Sequence, residues 1–590
     1  MQEKSSLDKN TLIGLLLMGA ILIGFGWFQG NNKEENPVEP TEQVVENKAE
    51  ETPALVNSNT TDAVIDSTAL DSNLVAEWEN TLGAFAAAAA DQIEPVQSFS
   101  LSNEHLNFEV STLGAKPVNV VLKNYYTYDS LPLTMVDGDQ SFFNLNFWAQ
   151  GRQIQTAQLK FKPVYQETEQ GQTLSMRLQA SANAYLALEY HLKSGAKQVD
   201  FNIRQVGLES VLSTNALWEL NWHINALSQE KSLKSQREKS TLYYRLQDET
   251  DYISEMRDGE EDLEKVSWVA YKNQFFATIF KAEKPIEKVK VETINPEEDF
   301  TDYVKTMKAD YQWNYQGEAN TGFSMYFLPN HFKTLKPYKA NFEDLVPLGW
   351  GIFGWINRFV VIQIFNLLDG FNLGYGLIIF IMAFVIKLAL SPLTYKSYVS
   401  MARMRVLKPQ VDKLSEKYDD QMKKQQATME LYRKAGVNPL GGCLPMLLQF
   451  PILIALFRFF PASFELRQES FWWAEDLSTY DSILSLPFTI PFYGDHVSLF
   501  TLLMTASTLL YTWMNNQMSA SSAQMPQMKV MMYLMPVIFM GVLNSYPAAL
   551  SYYYFLANMI TFGQQFFIRR MIDEDAILAK IEEKKQQPQK

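Results

Sequence analysis

The stretch LIIFIMAFVIKLALSPL, residues 377–393, decides the fold class of the C-terminal half of this chain. Lys387 is its only charged residue. A helix of about 20 mostly apolar residues crosses the hydrocarbon core of a bilayer, and the apolar run extends over about 374–394. The run therefore predicts a membrane-spanning helix with one cation well inside the membrane. A central lysine costs roughly 2.5–3.5 kcal/mol on insertion scales.

Five further apolar runs predict spans. Four follow the first one, at about 441–461, 498–517, 530–545 and 549–568. The fifth, LIGLLLMGAILIGFGWF at 12–28, is about 26 Å long as a helix, which is just enough to cross. Because no small-residue cleavage site follows it, we favour an uncleaved signal-anchor at 1–29 over a cleaved signal peptide. The chain is thus expected to have six transmembrane helices.

The charges of two loops orient these spans. Residues 396–434 carry ten Lys and Arg against five Asp and Glu, whereas residues 463–497 carry one against six. Short loops rich in Lys and Arg stay in the cytoplasm. Both termini are therefore expected in the cytoplasm, and residues 30–345 on the outer side of the membrane.

The segment VPLGWGIFGWINRFVVIQIFNLLD, at 346–369, is long enough to span but amphipathic. On a helical wheel Arg358, Gln363, Asn366 and Asp369 fall within one arc of about 140°. If this segment crossed the membrane, the two charged loops would lie on the wrong sides. We therefore expect an interfacial amphipathic helix that lies flat along the membrane surface.

The predicted cytoplasmic loop has a helical repeat. Apolar side chains recur at intervals of 3, 3, 4, 3 and 4 residues, at Met401, Met404, Leu407, Val411, Leu414 and Tyr418. This spacing is close to a coiled-coil seam, and Asp419-Asp420 is a candidate turn. A helical hairpin over 396–434 is favoured over a solvated charged loop. Residues 569–590 form a cytoplasmic tail.

The polar part of the chain predicts a linker and a β domain. Residues 30–95 are expected to be a disordered acidic linker, because their composition offers too little apolar surface for a core. From 96 to 340 apolar and polar residues alternate, as in TLSMRLQA (173–180), AYLALEYHL (184–192) and VDFNIRQV (199–206). A hairpin centred on Gly114 precedes them. The fold class is a polytopic α-helical membrane protein with an all-β, sandwich-like domain outside the membrane.

Composition argues against several classes of function. The net charge of −15 disfavours nucleic-acid recognition. Cys443 is the only cysteine, so no intrachain disulfide can form, and the five scattered histidines make no metal motif. We find no catalytic constellation in the β domain and expect neither an enzyme nor a bound cofactor or metal. A solute or ion transporter is the alternative, although the paired broken helices and related repeats that it predicts are not found.

Lys387 is the candidate functional residue of the membrane half. By residue type alone, a lysine that snorkels to the surface and one in a wet, protein-lined cavity fit the sequence equally well. The other predicted core spans contain no Asp or Glu, so a salt bridge within the membrane is not expected. Neutral polar residues of these spans are the candidate wall of a hydrated groove: Gln449, Asn515, Asn516, Gln517, Tyr552, Tyr553, Tyr554 and Asn558.

Three stretches of the membrane half resemble the YidC/Oxa/Alb insertase family. They are MARMRVLKPQ (401–410), VNPLGGCLPMLLQFPILIALF (437–457) and YPAALSYYYFLAN (546–558). The order of parts also resembles its Gram-negative members: an anchor, a large periplasmic domain, a flat helix, five spans and a charged hairpin. The resemblance implies an insertase in the bacterial inner membrane, with a five-helix insertase core over 374–568.

The resemblance also implies a mechanism. In this family a groove that opens to the cytoplasm and to lipid holds the hydrophilic part of a client on a positive residue of the second span. Lys387 stands at that position in place of arginine, and Ala383 stands where threonine is common. The implied client-binding groove contains Lys387, Gln449, Asn516, Gln517, Tyr553, Tyr554 and Asn558, and the implied functional hairpin contains Met401, Arg403, Arg405 and Leu407. The implied partners are nascent membrane proteins, membrane lipid, the Sec translocon and the ribosome.

Overall fold

The structure is a computed structural model that describes residues 72–86, 88, 95–297, 300–418, 420–437, 444–518 and 526–586. The predicted signal-anchor, the first part of the predicted linker and Cys443 lie outside these residues. The described chain consists of a β domain followed by a bundle of helices.

Antiparallel strands form the β domain. They are β1 (Ser98–Ser102), β2 (Leu106–Ser111), β3 (Pro117–Tyr126), β4 (Pro132–Asp137), β5 (Ser141–Ala149), β6 (Arg152–Gln155), β7 (Lys162–Thr168), β8 (Gly171–Ser181), β9 (Ala184–Lys193), β10 (Gln198–Val206), β11 (Ala216–Ala226), β12 (Thr241–Arg245), β13 (Thr250–Tyr252), β14 (Gly259–Asn273), β15 (Phe276–Ile294), β16 (Lys305–Tyr315) and β17 (Asn320–Pro329). A small sheet has the order β1-β2-β3-β4. A large sheet has the order β6-β5-β11-β16-β15-β17-β10-β9-β8-β7, and β14, β12 and β13 branch from β15.

The two sheets pack face to face through aromatic side chains. Strand β10 alternates between buried and half-buried positions, so one of its faces belongs to the core. Phe108 of the small sheet contacts Tyr190 and Phe327 of the large sheet, with ring centroids 5.4 and 5.9 Å apart. The Tyr190 hydroxyl donates to the carbonyl of Ala115 at 2.6 Å, in the turn between β2 and β3. The predicted β-sandwich and the hairpin at Gly114 are confirmed.

The prediction of a disordered linker over 30–95 is wrong for the last part of that range. Helix α1 (Ser72–Leu82) lies within it, and the Arg152 side chain donates to the carbonyl of Asn80 at 2.7 Å. Phe85 is fully buried, and its ring lies 5.4 Å from that of Phe147 in the β domain. A few apolar side chains suffice to dock a short segment on a sheet edge, because burial depends on local area rather than on average composition.

Helices form most of the C-terminal half. The helices after α1 are α2 (Leu233–Arg237), α3 (Phe332–Leu335), α4 (Gly351–Asp369), α5 (Tyr375–Val406), α6 (Lys408–Lys417), α7 (Gln421–Lys434), α8 (Leu444–Ala462), α9 (Leu499–Met518), α10 (Pro526–Leu543), α11 (Ala548–Met571) and α12 (Glu574–Gln586). A short hairpin of β18 (Leu484–Ile490) and β19 (Gly494–Val497) separates α8 from α9. Among the described residues, α4 and α5 are long and apolar enough to cross a membrane, and shorter apolar segments lie at Gln449–Ala462 and Val530–Leu543. The number of crossings therefore stays a prediction.

Helix α4 differs from the helical wheel predicted for its segment. A π-helical turn at Asn357–Val361 rotates the second half of α4 relative to the first. Asn357 is fully buried, and its side chain donates to the carbonyls of Leu348 and Ala455 at 2.8 and 2.6 Å. Leu367, in the second half of α4, is 66% exposed. A buried amide rather than an apolar stripe attaches α4 to α8.

The predicted cytoplasmic hairpin is shorter than expected. Helix α5 continues to Val406, so α6 and α7 alone form the hairpin. Asp420 caps α7 by accepting from the backbone N–H of Met422 at 2.9 Å. The seam is buried against other helices, since one apolar cluster contains Met401, Met404, Leu407, Val411, Tyr432, Ile568 and Ile581. The tail therefore continues as a packed helix, α12.

Candidate functional site around Lys387

Lys387 lies within α5, between α8 and α11. Its side chain is buried, with 6% of the residue surface exposed. The Nζ atom donates to Oε1 of Gln449 on α8 at 3.0 Å. The side chain of Gln564 on α11 donates to the backbone carbonyl of Lys387, also at 3.0 Å. Two amides thus connect the neighbouring helices to this position.

The charge of Lys387 has no acidic partner in the described part of the chain. Its recorded side-chain contact is the neutral amide of Gln449. The predicted core spans contain no Asp or Glu at all, so none is hidden in the undescribed parts of these spans. A buried ammonium without a counter-ion is costly. A carboxylate that reached Nζ of Lys387 would therefore compensate this charge and bind favourably.

The structure brings Gln449 to Lys387 but gives the predicted wall residue Asn558 other partners. The side chain of Asn558 donates to the hydroxyl groups of Ser507 and Thr508, both at 2.9 Å. These bonds join α11 to α9. Asn558 is thus placed as an internal tie of the bundle, because both protons of its amide are already used.

The predicted tyrosines lie mainly among apolar groups. Tyr553 is 3% exposed, and its ring centroid is 6.0 Å from that of Phe460 on α8. Tyr554 is half-buried and packs against the same apolar cluster. The side chains of Asn516 and Gln517 lie outside the described residues. The described side chains therefore do not form a continuous polar wall around Lys387.

Sequence reasoning missed Gln564 and its neighbour Gln565. Gln565 is fully buried and donates to Oδ1 of Asn515 on α9 at 3.3 Å. Two adjacent amides in an otherwise apolar span were a visible signal, because polar groups inside a membrane need partners. Through Gln564 and Gln565, α11 makes polar contacts with α5 and α9.

A hydrogen-bonded network ties the helices together at the end opposite the hairpin. Asp481, which is 2% exposed, accepts from the Ser498 hydroxyl, from the backbone N–H of Phe500 at 3.0 Å and from the indole of Trp473 at 2.8 Å. Asn544 is fully buried and accepts from the backbone N–H of Ser498 at 3.0 Å. We call these residues the end network. The hydrogen bonds of this network join α9 to the loop before it and to the end of α10.

A second buried cation joins the loop before α9 to the β domain. Arg467 is 8% exposed, and its Nε donates to Oε1 of Glu230 at 2.8 Å. Its Nη2 donates to the carbonyl of Tyr126 at 2.6 Å, and its guanidinium lies 5.0 Å above the ring of Phe276. Burial raises the pKa of Glu230 to about 7, although Arg467 opposes the rise, and Asp476 adds to it. We call Arg467, Glu230 and the Tyr126 carbonyl the clasp.

The predicted hairpin residues lie on α5 and directly after it. Met401 and Leu407 are buried in the apolar cluster beneath the hairpin. Nη1 of Arg405 pairs with Oε1 of Glu574 on α12 at 2.6 Å. Arg403 is exposed. Met401, Arg405 and Leu407 thus hold the hairpin and the tail together, and Arg403 faces outward.

Comparisons with known proteins show which proteins this chain is similar to. The family described as 60Kd inner membrane protein matches residues 367–575, and the YidC periplasmic domain family matches residues 98–362. A protein of Parabacteroides distasonis named membrane protein insertase YidC is 38% identical over 99% of this chain and 95% of its own length. A protein of the same name from Bacteroides fragilis is 36% identical with the same coverage. A crystal structure of an active YidC insertase covers 82% of this chain and 97% of its own, with 17% identity and a TM-score of 0.32.

These matches define an inner-membrane protein with a periplasmic domain. The chain belongs to the YidC family, and it combines a periplasmic β-sandwich domain with a helical C-terminal region. The family resemblance seen in the sequence is confirmed. The relatives are named as insertases, which confirms the prediction that the chain is not an enzyme, and they give no support to a transporter.

Proposed function

We propose that this protein is a membrane protein insertase that accepts the hydrophilic segment of a client at Lys387 and releases the client's apolar helix into the inner membrane. The observation that carries the proposal is a buried ammonium bonded to a neutral amide, in core spans that contain no Asp or Glu. The relatives named as insertases support the general activity.

The chemistry of Lys387 suits an acidic, unfolded segment. A carboxylate that reaches Nζ forms a charge-assisted hydrogen bond, which is about twice as strong as a neutral one and is strengthened further by the low local dielectric. Lysine is a compact charge without the planar fork of arginine. The client carboxylate therefore needs proximity but no bidentate geometry.

Insertion needs no covalent step. Transfer of an apolar client helix into lipid is favourable by about 25 cal/mol per Å² of surface removed from water. Lys387 lowers the energy barrier for the client's polar segment, which must enter the membrane together with the apolar helix. The proposed groove is closed on the periplasmic side, and the hydrogen bonds within the end network support this part of the proposal.

The proposed topology has six transmembrane helices, cytoplasmic termini and a periplasmic segment at 30–345, of which 96–340 form the β domain. Helix α4 lies flat. Its exposed side chains Ile352, Trp355 and Phe359 follow one helical stripe, which suits contact with the membrane interface. The Sec translocon and the ribosome complete the proposed partners.

Site-specific crosslinking of a nascent chain tests this function. A photoreactive residue replaces Phe450, which is 56% exposed and follows Gln449, and a control probe replaces Leu217, which is 47% exposed in the β domain. Ribosome-bound nascent membrane proteins are expected to crosslink at position 450 and not at 217, and release of the ribosome should abolish the adduct. A nascent chain that reaches neither position, or only the β domain, would overturn the proposal.

A further inference from the structure

A groove of about 760 Å³ lies between α5 and α11, and Lys387 is not among the residues that line it. Its apolar wall consists of Phe380, Phe384 and Leu388 from α5 and Ile560 and Phe567 from α11. Pockets for small ligands have volumes of roughly 300–1,000 Å³. The groove is therefore large enough to hold an extended apolar chain.

The polarity of the groove changes along α5. The lining positions of α5 after Leu388 are Ser391, Pro392, Tyr395 and Lys396, so the charged residue comes last. The distance from Leu388 to Lys396 along the helix axis is about 12 Å. Lys396 is exposed, and none of the ion pairs found in the described part of the chain includes it. An apolar cleft with a single cation at one end complements a ligand with an apolar tail and an anionic head.

Gly563 of α11 lines the groove beside open space. A Cβ atom built at this position meets no atom within 4 Å, so the space beside it is free. Glycine inside a helix is less favourable than alanine, and packing against a neighbouring helix does not require it here. The absent side chain adds to the free space in the groove.

We propose that this groove binds one acyl chain of an anionic phospholipid, with the phosphate of the headgroup against Lys396. The inference rests on the proposed orientation, in which this end of α5 lies at the cytoplasmic membrane surface, where anionic lipids attract basic side chains. Gln564, which lines the groove, also holds the Lys387 carbonyl. A bound lipid therefore packs against the residue that braces Lys387.

Native mass spectrometry of the full-length protein in detergent tests the site with two probes, phosphatidylglycerol and phosphatidylcholine of identical acyl chains. One ionic contact predicts a preference of about fivefold for phosphatidylglycerol. Gly563→Leu should fill the groove without a clash and reduce the binding of both lipids. Lys396→Gln should remove the preference alone, and Lys413→Gln, on the exposed face of α6, should change nothing. Equal binding of the two lipids by the wild-type protein, or normal binding by Gly563→Leu, would overturn the proposal.

Photocrosslinking in cells separates the lipid from a protein occupant. A photoreactive residue at Phe567, which is 66% exposed in the groove, should label phospholipid. A protein adduct at this position would contradict the proposal. Lipid binding is measured without client insertion, so a failed lipid site leaves the insertase proposal intact, and a failed insertase test leaves the lipid measurement valid.

Discussion

Arg467 and Lys387 are both buried cations, but their surroundings differ in kind. Arg467 contacts a carboxylate, a carbonyl and an aromatic ring, all from the β domain. Lys387 contacts one neutral side-chain amide. The charge of Arg467 is compensated by groups of the β domain. Among the described residues, the side chain of Lys387 has one polar partner, the amide of Gln449. A compensated charge holds two parts of a protein together, and an uncompensated one is available to a ligand.

The difference also separates stability from function. Loss of Arg467 leaves a buried carboxylate without its partner and should loosen the contact between the β domain and the helices. Loss of Lys387 removes a charge that burial disfavours and should leave the fold at least as stable. The predictions below test this contrast, beginning with the largest expected effect.

Reversal of the charge at Lys387 should abolish insertion. In cells depleted of their own insertase, Lys387→Arg is expected to support growth and Lys387→Glu is not, because an acidic client segment then meets a like charge that costs several kcal/mol. We expect insertion of an acidic-tailed reporter to fall roughly 100-fold. Normal growth of the Glu variant, at matched protein levels, would refute a charged groove.

Arg467→Ala should destabilise the full-length protein by about 3–5 kcal/mol, because Glu230 then remains buried without its partner. The measurement is thermal unfolding in detergent. The double variant Arg467→Met/Glu230→Leu is the matched control, since an apolar pair of similar size is often neutral. If the single variant is as stable as the double variant, the clasp does not hold the β domain.

The clasp should also respond to pH. The pKa of Glu230 is raised to about 7 in the folded protein, above its usual value of about 4.3 when unfolded. Folding therefore favours the protonated carboxyl, and this stabilisation is complete below about pH 4.3 and is lost as the pH rises through 7, by up to about 3–4 kcal/mol. The free energy of unfolding is measured from pH 4.5 to 8 for the wild-type protein and for Glu230→Gln. The wild-type stability should fall with rising pH relative to the variant, and parallel curves for the two proteins would argue against the prediction.

Removal of the Lys387 charge should change the free energy of unfolding less than the changes above. It should also raise stability, whereas Arg467→Ala lowers it. Lys387→Met/Gln449→Leu replaces the buried polar pair by apolar groups, and we expect a gain of about 1–2 kcal/mol, because a central lysine is costly in a membrane. The variant should nevertheless fail to insert acidic-tailed clients. A loss of stability similar to that of Arg467→Ala would mean that Lys387 has a structural role.

The sequence predicted what depends on local patterns. Period-two runs placed β8, β9 and β10, and apolar runs placed α8, α9, α10 and α11 close to their observed bounds, whereas α5 continues to Val406, beyond its predicted end near 394. The contact between Arg467 and Glu230 joins residues 237 positions apart, and no local pattern encodes it. The π turn at Asn357 shifted a face that an ideal helix of 3.6 residues per turn placed elsewhere.

The candidate site was predicted in part. Lys387 and Gln449 were identified because polar residues in apolar spans are few, and the structure brings them together. Asn558 belongs to the same class of residue but faces α9, since residue type carries no information on which neighbour a helix face meets. Gln564 was missed although it satisfies the same criterion.

The most direct test of the central claim is a charge-swap measurement of insertion. Two reporter clients differ only in a hydrophilic tail that carries either aspartates or lysines, and each is presented to the wild-type protein and to Lys387→Glu. We expect the wild-type protein to insert the acidic tail in preference, and the Glu variant to insert the basic tail and to reject the acidic one. Equal insertion of both tails by both proteins would contradict the role of Lys387 as the charge that receives the client.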